Sequence, residues 1–167
     1  MAEPGSAGDG PRWLDEREQQ TWLELAGVLV WLPAALDAQL QADAGISHFE
    51  YQVLAILSTS PGRTVRMGDL AVLANGSPSR LSHVIGRIEK QGWVARGVDP
   101  ANKRIVLATL TDAGWEKVVA TAPGHVEAVR RYVFDPLTPV QVRQLGQLAG
   151  LIRRAVDPDG RPPLNLP

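Results

Sequence analysis

Apolar positions recur at steps of three and four along most of the chain, the period of an amphipathic helix. Over residues 13–44 the set Leu25, Val28, Leu29, Leu32, Leu36 and Leu40 keeps this rhythm. Pro33 lies inside the run and predicts a kink, or a split near Leu32, because proline lacks an N–H and its ring crowds the preceding turn. Gly45 stops the helix. Ser47 and Glu50 then form a capping box, opening a second helix with Phe49, Val53, Leu54 and Leu57 inward. Pro61-Gly62 closes that region.

The pattern then shortens. Residues 64–66 (TVR) read as a small strand, and residues 67–74 as a short helix with Leu70, Ala71 and Leu73 apolar and Gly68 as its cap. Asn75-Gly76 is a turn signal. Ser77 as cap and Pro78 at the first position open the next helix. It has a narrow apolar stripe of Leu81, Val84, Ile85 and Ile88, and Gly92 closes it. Residues 93–98 and 104–110 flank the polar tip 99–103 and predict a β-hairpin. Thr111 caps a helix over residues 112–134, bent near Pro123-Gly124. Thr138-Pro139-Val140-Gln141 is a second capping box, followed by a helix with Val142, Leu145, Leu148, Ala149, Ile152 and Val156 on one face. Residues 1–11, rich in Gly and Pro, predict a disordered tail, and residues 157–167 a flexible one.

Composition narrows the chemistry. The 167 residues include no cysteine, which removes disulfides, thiolate metal sites and thiol redox switching. No uninterrupted apolar run approaches the roughly 18 residues of a membrane span, and the N-terminus lacks a signal layout, so the expected compartment is the cytoplasm with no membrane partner. Net charge is −1, but its distribution is uneven. Residues 62–104 hold eight basic and three acidic residues, a net of +5, and the remainder carries −6. A local basic face is what a phosphate backbone requires.

Two short helices joined by a tight turn match a helix-turn-helix. The second must enter a major groove about 12 Å wide, which favours small residues at its start. Ser77, Pro78, Ser79 and Ser82 are small, and Arg80, His83 and Arg87 can reach base edges or phosphates. The candidate DNA contacts are Ser77, Ser79, Arg80, Ser82 and His83. Arg87 and Lys90 are expected on phosphates, and Lys103 and Arg104 on the backbone and minor groove from the hairpin tip. The fold class expected is mainly α with a small β-hairpin wing.

Four segments, FEYQVLAIL (49–57), VRMGDLA (65–71), SPSRLSHVIGRIEKQGWVAR (77–96) and DPANKRIVLATLTDAGW (99–115), resemble the MarR family of winged-helix transcriptional regulators. The wing motif is the most specific part: Leu110-Thr111-Asp112-Ala113-Gly114 fits the family's Leu-Thr-x-x-Gly without a gap. Arg104 falls at the family's minor-groove arginine, whereas Asn102 stands where an orienting Asp is usual, which implies a weaker wing contact. The resemblance implies an N-terminal dimerisation helix (12–45), a winged helix-turn-helix (46–110) and C-terminal dimerisation helices (111–156). It further implies a homodimer that reads a pseudo-palindromic double-stranded DNA operator as a repressor released by a small aromatic or anionic effector. Effector candidates are Trp22, Trp31, His48, Glu50 and Tyr51. Trp22 and Trp31 stand nine residues apart, about 180° around a helix, so they cannot line one face.

Other classes find less support. The only histidines are His48, His83 and His125, with no pair at ligand spacing, so no metal is expected; a His48, Glu50, His125 site is the one conceivable set. No nucleophile elbow, zinc-protease motif or phosphate loop occurs, so neither catalysis nor a cofactor is expected. The main alternative is a winged helix used for protein contacts alone, which predicts a weak basic face and no salt-dependent DNA binding.

Overall fold

The computed structural model describes residues 11–157, so the two tails expected from composition fall almost wholly outside the described residues. The first helix, α1, spans Glu16–Ala44. It starts three residues later than the apolar rhythm suggested, because Asp15 caps it. The Asp15 carboxylate accepts from the Glu18 N–H at 2.8 Å, and the Glu18 carboxylate accepts from the Asp15 N–H at 3.0 Å. Pro33 does not split it: α1 continues through as a single helix, with full turns on either side of the one missing donor. Gly45, at φ 67°, ends it in the left-handed conformation that glycine adopts freely.

Only Leu36 and Leu40 of α1 are buried. Trp22, Leu23, Val28, Leu29, Val30 and Trp31 are exposed and, at 100° per residue, point around the whole helix. By length and composition α1 is apolar enough to cross a membrane. A search for an unbroken apolar run overlooks this, because isolated charges interrupt the sequence without making the helix polar.

The core lies in the next segment. Helix α2 (His48–Thr59) buries eight of its twelve residues, Glu50, Tyr51, Ala55 and Ile56 joining the four expected. Against it pack α3 (Met67–Leu73) through Leu70 and Ala71, and α4 (Pro78–Lys90) through Leu81, Val84, Ile85 and Ile88. The α4 stripe is the one the sequence predicts, and each of its four members is at most 6% exposed. Gly68 is not the α3 cap. Strand β1 (Thr64–Arg66) runs straight into the helix, so Arg66 takes that position and Gly68 lies inside.

The wing is a three-stranded antiparallel sheet, not a hairpin alone. Strands β2 (Val94–Asp99) and β3 (Asn102–Leu110) pair from Val94↔Leu110 to Asp99↔Asn102, and β1 adds to the far edge of β3. The turn is only Pro100-Ala101, so Lys103 and Arg104 lie in β3 and not on the tip. At the root of the wing, the Thr111 hydroxyl donates to the Gly92 carbonyl at 2.6 Å and its N–H to the Trp93 carbonyl at 3.0 Å. A Cβ at position 114 would overlap the Trp93 carbonyl, so the glycine of the Leu-Thr-x-x-Gly motif is a steric requirement.

Helix α5 (Asp112–Val129) passes through Pro123 without interruption. The irregularity expected there lies further on, in a π-helical turn over Arg130–Phe134. The last helix, α6 (Pro139–Val156), is opened by Thr138 and Gln141 as predicted, yet none of its residues is buried. Leu145, Leu148, Leu151, Ile152 and Val156 all face outward.

Candidate nucleic-acid interface

The turn between α3 and α4 is held by local chemistry. Asn75 takes a positive φ of 48°, and the Gly76 N–H donates to the Ala71 carbonyl at 2.9 Å. The Ser77 hydroxyl accepts from the Arg80 N–H at 3.2 Å, so Ser77 is occupied as a cap. Ser79, Ser82, His83 and Lys90 are exposed and fall within about a quarter-turn of one another on α4. Arg80 is exposed too, its guanidinium stacked 4.0 Å from the centre of the Phe49 ring.

Arg87 is engaged differently from the free phosphate partner expected. Its Nη2 lies 2.6 Å, and its Nε 3.0 Å, from Oε1 of Glu50. Glu50 is itself buried, and its other oxygen accepts from the Ser47 N–H and hydroxyl, both at 2.7 Å. This pair ties the start of α2 to the last turn of α4.

The basic residues of 62–104 thereby divide into two groups. Arg63 pairs with Asp112 at 3.0 Å, Arg66 with Asp99 at 3.9 Å, Arg87 with Glu50, and Arg96 with Glu89 at 2.5 Å. The hydrogen bonds from Arg96 hold the Glu89 carboxyl below its ordinary range. Arg80, Lys90, Lys103 and Arg104 have no carboxylate partner among the described residues. All four belong to the predicted DNA face. Asn102 does not hold the Arg104 guanidinium; its Oδ1 accepts the Arg104 backbone N–H at 3.1 Å and shapes the turn.

The five effector candidates do not form one site. Trp31 is 73% exposed and lines an apolar groove of about 1150 Å³ between α1 and α6, with Val28, Leu32, Tyr132, Leu145 and Leu148. Trp22 is exposed outside that groove. Glu50 is committed to Ser47 and Arg87, and no cluster of three His, Asp or Glu side chains that could hold a metal, such as His48, Glu50 and His125, occurs among the described residues. Only His48 and Tyr51 come together, with a residue that was not among the candidates: His125 of α5 lies 4.6 Å from Tyr51 and 5.9 Å from His48, ring centre to ring centre. His125 is buried, and its Nδ1 has no hydrogen-bond partner among the described residues. Burial pushes its pKa down, and the neighbouring His48 pushes the same way. Burial also lowers His48, against the Asp37 carboxylate, which receives the His48 N–H at 2.7 Å. Burial raises the Tyr51 hydroxyl.

The fold has known counterparts. A family model described as the MarR family matches residues 44–105. A MarR family transcriptional regulator from Streptomyces coelicolor, solved in complex with DNA, is 46% identical, with a TM-score of 0.83 over 89% of this chain and 92% of its own. AbsC, a MarR family transcriptional regulator from the same organism, is 36% identical, with a TM-score of 0.81 over 87% of this chain and 98% of its own. YkoM of Bacillus subtilis, an HTH-type transcriptional regulator, is 33% identical over 102 residues, a match that spans 60% of this chain and 64% of YkoM.

Proposed function

We propose, for a chain that belongs to the MarR family of transcriptional regulators, that it binds operator DNA as a homodimer and represses until a small ligand releases it. The family regulates transcription and is not a family of enzymes. The observation that carries the DNA reading is the division of the cations. Four of the eight basic residues in the central segment are neutralised internally, and the four that are not lie on α4 and β3. An unpaired cation on a groove-facing helix is available to release counterions from phosphate. The solved relative in complex with DNA agrees with this reading.

In this reading α4 enters the major groove with Ser79, Arg80, Ser82 and His83 toward the bases, and Lys90 on phosphate. Lys103 and Arg104 hold the wing to the backbone and minor groove. The exposed apolar faces of α1 and α6 support the second copy, since patches of this extent mark protein interfaces. A two-fold dimer sets its half-sites about 34–36 Å apart. Such a regulator works in the cytoplasm, with the DNA. Effector release stays within the same proposal, and the His48, Tyr51, His125 cluster between α2 and α5 supports it as the place where a ligand would meet both helices. By linkage, DNA then weakens ligand binding by the factor with which ligand weakens DNA binding.

Fluorescence anisotropy against DNA from upstream of the protein's own gene, titrated with salt, tests the reading. Sequence-selective binding with a steep negative salt slope is expected. Arg104→Ala is expected to weaken binding to all sequences and reduce the slope by about 1. Absence of any preference over random DNA at low salt would point instead to a winged helix used for protein contacts.

A further inference from the structure

The first turn of α2 holds two arginines of α4, and it holds them in opposite ways. Glu50 takes Arg87 by its edge, consuming the Nε and Nη2 donors. Phe49 takes Arg80 through its ring, with the guanidinium carbon over the ring and 4.0 Å from its centre. A guanidinium held over a ring and paired with no carboxylate, as Arg80 is among the described residues, keeps N–H donors for a further partner. Reading guanine through O6 and N7 requires two such donors side by side.

The Phe49 ring is itself fixed. It is 8% exposed and belongs to the core, and its tip fills the space beneath the α3–α4 turn. A Cβ at Gly76 would come within 2.6 Å of the Phe49 Cζ, so the glycine of that turn makes room for the ring. One ring therefore meets both neighbours, the turn at its tip and the guanidinium carbon over it.

We infer that Phe49 is a positioning residue for sequence readout: its ring orders Arg80 in a base-reading pose before DNA arrives, although it touches no DNA itself. The inference rests on the reading that α4 occupies a major groove. Ordering the side chain in advance removes part of the cost of fixing it on binding, and the benefit goes to the base that Arg80 reads. Phe49 should therefore govern discrimination between sequences more than affinity for DNA in general.

The test compares Phe49→Leu, Phe49→Tyr, Arg80→Ala and the double variant Phe49→Leu/Arg80→Ala on a panel of operators with single base-pair changes. Melting temperature serves as the folding control. Phe49→Leu is expected to reduce discrimination about two- to five-fold, the size of an exposed cation–π contact. The loss should fall at the base pairs where Arg80→Ala also loses it, with the salt slope unchanged. Phe49→Tyr keeps a ring and should keep the preference, and Phe49→Leu should cost nothing further once Arg80 is gone. Uniform weakening on every sequence, or full additivity with Arg80→Ala, would overturn the proposal in favour of plain packing. A second readout needs no DNA: the Arg80 side-chain protons should show an upfield ring-current shift that Phe49→Leu abolishes. Absence of that shift from the wild-type protein would overturn the stacking itself. A shift present in a protein without base preference would instead sink the DNA reading, and the inference with it.

Discussion

Helices α2 and α6 begin alike and end in different surroundings. Each opens on a hydroxyl cap whose partner stands three residues on, Ser47 with Glu50 and Thr138 with Gln141. Each carries an apolar face at helical spacing. Yet α2 buries eight of twelve residues and α6 none of eighteen. The cap decides where a helix starts, because it satisfies N–H groups that the first turn leaves without acceptors. It does not decide what the helix packs against. The surroundings of α2 come from the chain itself, whereas the apolar face of α6 is left exposed, and so is most of α1.

The largest effect that would break this contrast is on assembly. Leu148→Asp puts a charge in the groove between α1 and α6 and is expected to convert a dimer to a monomer, costing about 4 kcal/mol of association as a central interface residue does. Sedimentation across a concentration series reads it directly, and a variant that stays dimeric would remove α6 from the interface. Next come the caps. Glu50→Ala removes a capping partner and the Arg87 clamp from a buried position, and about 2–3 kcal/mol of unfolding free energy should be lost. Gln141→Ala, the equivalent change in exposed α6, should cost about 0.5 kcal/mol. Chemical denaturation of both variants sharpens the comparison, and equal losses would show that burial adds nothing to the first. The smallest effect is on pH. His48 and His125 are both held below their ordinary pKa in the folded chain, His48 against the pull of Asp37. The unfolded chain therefore binds protons first, and stability present above about pH 6.5 is lost as pH falls through and below that value. Melting temperature should drop between about pH 7.5 and pH 5.5, and His125→Gln should flatten the drop.

Much of the fold was legible because it is local. Ser47, Ser77, Thr111 and Thr138 cap as their spacing predicts, and the α4 stripe is buried to its last member. Asp15 and Glu18 obey the same rule and were as readable as the others. What sequence could not show is pairing across distance. Adding up charge over residues 62–104 treats eight cations as equal, but two of the carboxylates that neutralise them, Glu50 and Asp112, stand outside that segment. Phe49 and Arg80 are 31 residues apart, and no periodicity links an apolar helix start to a basic residue on another helix. The α3 cap was misplaced for the same reason: β1 ends where its pairing with β3 ends, and the helix follows at once. The scatter of the effector candidates reflects side-chain direction, which spacing limits but does not assign.

The joint at Thr111 and Gly114 has a mechanical meaning. Two hydrogen bonds and a backbone contact too close for a methyl group leave no slack between the root of the wing and the first turn of α5. The two act as one welded part, and α5, at eighteen residues, is a rod about 27 Å long. A tilt of about 5° at the far end of such a rod displaces its near end by about 2 Å. Arg104, on β3, therefore stands at the near end of a lever arm whose far end runs into the π-helical turn at Arg130.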